Sequence, residues 1–112
     1  VVNDTFTNRI NELNRYVEDK GAYLLIAACP IGEGEYTPDP AVFDEVEVEL
    51  KESVDCDVIS HFTDYLIPYE FFYDTNGHLD SEGARMRTEK LIKDLTKWMD
   101  EKGVERMTVT NE

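Results

Sequence analysis

Long apolar runs are missing from this chain. No stretch approaches the ~20 residues that a membrane-spanning helix needs. The opening VVNDTFTNRI has neither the basic segment nor the apolar core of a signal peptide. Basic residues are scarce, 11 against 25 acidic ones, for a net charge of -14. That argues against binding nucleic acid or an anionic membrane, because both need a positive surface. The acidic excess reads first as a solvated surface and second as a face for a cationic partner. Cysteine is nearly absent: Cys29 and Cys56 are too few to indicate a redox compartment. They read as two small buried side chains, with a disulfide between adjacent strand ends left open. Serine occurs only at positions 53, 60 and 81, and there is no internal repeat or low-complexity tract.

The 112 residues, 41% of them hydrophobic, suit one globular domain spanning 1–112 with a modest core. The chain opens on Val1 rather than Met, which suggests a processed product or a piece of a longer polypeptide. Phe6, Ile10, Leu13 and Val17 recur at helical spacing and predict an amphipathic helix over 4–19, capped by Asp4 or Thr5 and ended by Gly21. Residues 22–29 are almost continuously apolar, as in a strand buried on both faces of a parallel sheet. A Gly/Pro-rich loop follows from Pro30 to Pro40.

Asp39-Pro40 then starts a helix whose stripe is Val42, Val46 and Leu50, with Phe43 and Val54 beside it. Its acidic residues, Glu47 among them, fall between the apolar positions and are expected to be mostly solvated. Residues 56–60 predict a short second strand, and 61–73 an irregular aromatic segment interrupted by Pro68. Asp80 or Ser81 caps a last helix whose buried face is Ala84, Thr88, Leu91, Leu95 and Trp98, ended by Gly103. Val104–Thr110 reads as a third strand or an ordered tail. Helices alternating with strands imply crossovers, hence an α/β class and a small, mainly parallel sheet.

The chemistry concentrates in FFYDTNGHLDSEGARMRTEKLI, residues 71–92. Asp74 and His78 sit four residues apart on a polar loop directly before a helix. A carboxylate beside an imidazole sets its tautomer and stabilises the imidazolium, which is how a general base is held. His61 with Asp57 and Asp64 has no zinc-like spacing, and no metal or cofactor is expected. The aromatics Phe62, Tyr65, Tyr69, Phe71, Phe72 and Tyr73 read first as packing of the segment on the sheet and second as a pocket lining.

The order of aromatics, Asp-Thr-Asn-Gly-His-Leu, Ser-Glu-Gly-Ala, Arg-Thr-Glu and an apolar helix resembles the C-terminal Asp/His block of the SGNH (GDSL-like) hydrolase superfamily of esterases and O-acyltransferases. Leu24–Pro30 is similar to a late central strand of that fold and the loop after it, so the resemblance runs over residues 8–100. It implies the C-terminal half of a three-layer α/β/α domain, with His78 and Asp74 as the triad base and its orienting acid. A small ester or acylated carbohydrate would be the substrate, and the setting extracytoplasmic or at the cell surface. The sequence departs from the superfamily at two places. Three residues, Thr75, Asn76 and Gly77, separate Asp from His where the family has two, so Asp80 and Asp64 are alternative acids and Gly77 is expected to absorb the extra residue. No serine lies in a Gly-Asp-Ser context. The nucleophile is therefore expected from a missing N-terminal half, and an apolar strand without its neighbours is expected to pair with that half or with a copy of itself. The alternative is a non-catalytic α/β interaction module with an acidic surface.

Overall fold

The computed structural model describes residues 2–34, 37–74 and 78–104 of a mixed α/β chain. Helix α1, Asp4–Asp19, carries the expected stripe, but its cap is Asn3, whose side chain accepts Phe6 N–H at 2.8 Å. Gly21, at φ 76°, turns the chain away from the helix end, a conformation that costs a residue without Cβ little. Strand β1, Leu25–Ile26, follows, and then β2, Ile31–Glu33. Asp39 caps α2, Pro40–Ser53, by accepting Ala41 N–H at 2.9 Å. Strand β3 is Asp57–Val58 and β4 is Leu66–Pro68, with 3-10 turns at Phe62–Tyr65 and Tyr69–Phe71 on either side of β4. Helix α3, Ser81–Lys102, ends at Gly103 in the left-handed conformation.

β1 and β3 pair in parallel, Leu25 opposite Asp57 and Ile26 opposite Val58. Parallel pairing of the two apolar segments is the arrangement that the α/β alternation predicts, though each strand is much shorter than its apolar run. The ladder continues informally: Ile59 N–H donates to Ile26 O at 2.9 Å, and Ala28 N–H donates to Ser60 Oγ at 3.0 Å. A second parallel pair, β2 with β4, lies inside the stretches read from sequence as loop and irregular segment. Those strands are three residues each, too short to show a period in sequence. The expected strand at 104–110 falls, beyond Val104, outside the described residues.

Leu50, Val54 and Cys56 form one buried cluster, with Ile10, Leu24, Ile26, Val58 and Phe62 packed on it. Tyr65 and Ile67 are fully buried as well. Cys56 is buried and Cys29 exposed, both as free thiols, so only one matches the expected burial. The apolar stripes are half open. Phe6 and Leu13 on α1 and Ile92 and Leu95 on α3 are exposed, Ile92 at 59%. Ala84 and Thr88, expected on the buried face of α3, are exposed as well, whereas Gly83 and Trp98 are buried.

Gly83 is buried because α3 starts against the aromatic segment. A Cβ there would lie 2.7 Å from the Phe71 carbonyl oxygen and 2.8 Å from Leu79 Cδ2. Replacing a helical glycine by alanine ordinarily stabilises by up to about 1 kcal/mol. Here Gly83→Ala should reverse that sign and destabilise by about 1–3 kcal/mol, since backbone must move to admit the methyl group. Urea unfolding of the two proteins measures the difference.

Candidate functional site

The loop between the aromatic segment and α3 is closed by backbone. Phe72 and Leu79 form an antiparallel bridge, Tyr73 N–H donates to His78 O at 3.1 Å, and Asp80 N–H donates to Phe71 O at 2.7 Å. These contacts bring residues 74 and 78 onto one side of a hairpin-like turn; residues 75–77, including Gly77, lie outside the described set. His78 Nδ1 is 2.8 Å from Asp74 Oδ1, and the Tyr73 ring stacks on the imidazole at 5.8 Å between centroids. With the Asp74 carboxylate accepting Nδ1–H, the Nε2 lone pair is left to take a proton. Both side chains are about half exposed.

The alternative acids are placed elsewhere. Asp80 Oδ1 accepts Gly83 N–H at 2.8 Å as the α3 cap. Asp64 is exposed and lines a separate hollow with Lys90, Lys93 and Asp94. Among the described residues, Asp74 is the carboxylate that touches His78. Among the described residues, none of the three serines hydrogen-bonds to His78. Ser60 is buried and accepts Ala28 N–H, Ser53 Oγ donates to Glu49 O at 2.7 Å, and Ser81 opens α3 on the surface.

A second carboxylate–histidine pair was not singled out by the sequence. Glu47 of α2 is only 6% exposed, and it accepts Phe62 N–H at 2.6 Å, Lys51 Nζ at 2.8 Å and His61 Nδ1 at 3.0 Å. Burial pushes its carboxyl pKa up, but Lys51, the Phe62 amide and His61 outweigh it and hold the group below its ordinary value. The i,i+4 spacing to Lys51 was legible in sequence; the approach of the 61–62 backbone was not. Nearby, Trp98 Nε1–H donates to Asp57 Oδ2 at 2.8 Å, which with Lys102 lowers the Asp57 pKa against a smaller opposing effect of burial. Burial raises the Cys56 thiol pKa, so little reactive thiolate forms there.

His61, Lys51, Asp57 and Trp98 line a groove of about 490 Å³ between the end of β3 and the C-terminal half of α3. Asp74 and His78 are not among its walls. The loop is thus the site with a general-base arrangement, and the groove is a separate, half-open concavity. Among the described residues, no three metal-ligating side chains group together, and no helix is long and apolar enough to cross a membrane. No protein-family model matches the chain, and neither does any curated protein or solved structure.

The buried Glu47 contacts generate a pH dependence. Its folded pKa lies below the ordinary value of 4.5, so the folded chain holds the proton less tightly than the unfolded one. Its stabilisation is complete above that value and is lost as the pH falls through the folded pKa. Glu47→Gln should lower stability near neutral pH by about 2 kcal/mol and flatten the acid limb below pH 4.5. Urea unfolding at a series of pH values would show both effects, and an unchanged slope would rule out this role for Glu47.

Proposed function

We propose that the chain is the C-terminal portion of an SGNH-type serine esterase or O-acyltransferase and supplies the base half of its triad. The observation that carries this reading is the 2.8 Å contact of Asp74 Oδ1 with His78 Nδ1 on the loop at the start of α3. Its support from sequence is the motif around that loop. A serine outside this sequence attacks the ester carbonyl, and His78 takes its proton at Nε2. His78 then returns the proton to the leaving alcohol and next activates water, or an acceptor hydroxyl in acyl transfer. Asp74 orients the ring and stabilises the imidazolium. The substrate class, a small ester or acylated carbohydrate, rests on the family resemblance.

The test joins the chain to the upstream region that the reading requires. The joined protein should hydrolyse nitrophenyl acetate, and His78→Ala should lower kcat/KM by about a thousandfold or more. Asp74→Asn should cause a smaller loss. The 112 residues alone should show no hydrolysis above a His78→Ala control. Hydrolysis by the isolated chain that disappears on Ser81→Ala would reveal a local nucleophile and end the reading.

The same proposal gives the sheet its missing layers. Among the described residues β1 pairs only with β3, leaving its other edge open beside the half-exposed stripes of α1 and α3. An open strand edge attracts a strand, and contiguous apolar surface attracts cover. In the proposed three-layer α/β/α domain the N-terminal half fills that edge, and without it a second copy of the chain does. Light scattering of the isolated chain at micromolar concentration should therefore give a mass above that of one 12.9 kDa chain. A clean monomer would count against the open edge.

A further inference from the structure

Helices α1 and α2 are tied together at one end and leave a hollow at the other. Near the end of α2, Asn11 Nδ2–H donates to Ser53 O at 3.3 Å, and Asp55 N–H donates to Asn11 Oδ1 at 2.8 Å. Toward the start of α1, the side chains of Val2, Asn3, Phe6, Val46 and Leu50 line a hollow of about 320 Å³. Four of these five are apolar, and Asn3 is engaged as the α1 cap. Leu50 connects the hollow to the buried cluster, while the Phe6 ring is left 43% exposed. Surface of this kind gains from being covered.

The rim of the hollow is acidic. Glu49 stands at its edge, where Oε1 accepts Val2 N–H at 3.0 Å. Val42, Glu45, Val46 and Glu49 recur at i, i+3, i+4 and i+7, so they share one flank of α2. Asp4 is exposed in the first turn of α1. Among the described residues, no basic side chain pairs with Asp4, Glu45 or Glu49. The stretches 2–8 and 40–50, which form the walls, contain no lysine or arginine. Lys51 is bound to Glu47, which faces His61 and Phe62, and Arg9 is not part of the lining.

An apolar hollow with a rim of one charge sign fits a segment that is apolar along its centre and oppositely charged at its edges. Glu45 and Glu49 are one helical turn apart, about 6 Å between Cβ atoms. A partner helix with lysine or arginine every three or four residues beside an apolar stripe repeats that spacing. We propose that the hollow between α1 and α2 docks a basic amphipathic helix of another protein. One of its apolar side chains enters beside Phe6, and its basic side chains meet Glu45 and Glu49. This places the cationic partner that the acidic composition allows on one face of the chain. The face involves neither Asp74 nor His78, so it stands or falls separately from the esterase reading.

The probe is a fluorescently labelled leucine–lysine peptide with amphipathic helical spacing. Its anisotropy should rise saturably with added full chain, to one peptide per chain, and the same peptide with glutamate for lysine should not bind. Phe6→Ala should weaken binding about tenfold. Glu45→Lys should weaken it about fivefold or more. Asp44→Lys makes the same change in net charge on the same helix, but Asp44 is two residues from both Val42 and Val46 and so faces away from the hollow. It should leave binding within about twofold of the original. All three positions are exposed, so the core stays in place. Equal losses from Glu45→Lys and Asp44→Lys would mean general attraction to a chain of net charge -14 and would overturn the site. So would a Phe6→Ala protein that binds as before, or no saturable binding at all. Light scattering tests the other occupant: a chain that self-associates, and becomes monomeric on Phe6→Ala, would put a second copy in the hollow and overturn the assignment to a basic helix.

Discussion

A fully buried tyrosine holds the long last helix to the rest of the chain. Tyr65 is 0% exposed, and its hydroxyl donates to Asp94 Oδ2 at 2.7 Å in the middle of α3. A hydrogen bond to a charged partner contributes about 1.5–3 kcal/mol, and losing Asp94 would take this partner from the fully buried tyrosine. Burial, then the neighbouring Asp94, raises the phenol pKa, so the hydroxyl keeps its proton and remains the donor. That contact sets where α3 lies along the segment 62–72. Its first turn then meets the Phe71 carbonyl, which only a glycine at position 83 allows. The loop carrying Asp74 and His78 is held between these two anchors by the Phe72–Leu79 bridge. The geometry of the dyad therefore follows from how α3 docks on the segment 62–72.

The acidic excess of the chain divides into two populations. Exposed acids such as Glu82 and Glu89 are answered locally by Arg85, in contacts that solvent screens and that add little to stability. Two other acids, the buried Glu47 and the half-exposed Asp57, organise tertiary structure. Glu47 joins α2 to the backbone at 61–62, and Asp57 joins β3 to Trp98 and Lys102 of α3. Glu47, removed from water, is matched by three donors, as the cost of its burial requires. Three lysines, Lys51, Lys97 and Lys102, stand against Asp57, Asp94 and Glu101 around the groove, so the net charge of -14 does not describe every part of the surface.

The two His-containing pairs differ in what surrounds them. Asp74–His78 is exposed on both sides and has a motif around it but no enclosed volume. Glu47–His61 has a buried acid, and its histidine lines a groove, but it has no motif. The proposed triad would need its nucleophile and substrate brought to His78 by structure beyond these residues.

The helices were legible in the residues themselves. The 4–19 stripe, the Asp39-Pro40 start and the Gly103 stop act through contacts within a few positions, so local chemistry alone determined all three. The parallel pairing of the two apolar segments followed from the α/β alternation, and the Asp74–His78 proximity from a short loop before a capped helix. Tertiary structure decided the rest. β2 and β4 exist because two three-residue pieces 35 positions apart in register meet, Ile31 with Leu66, and neither carries a period of its own. Asn3 rather than Asp4 caps α1, Glu47 is buried rather than solvated, and the expected face of α3 stays largely open. Each of these depends on which distant backbone arrives beside the residue, and spacing along the chain does not encode that.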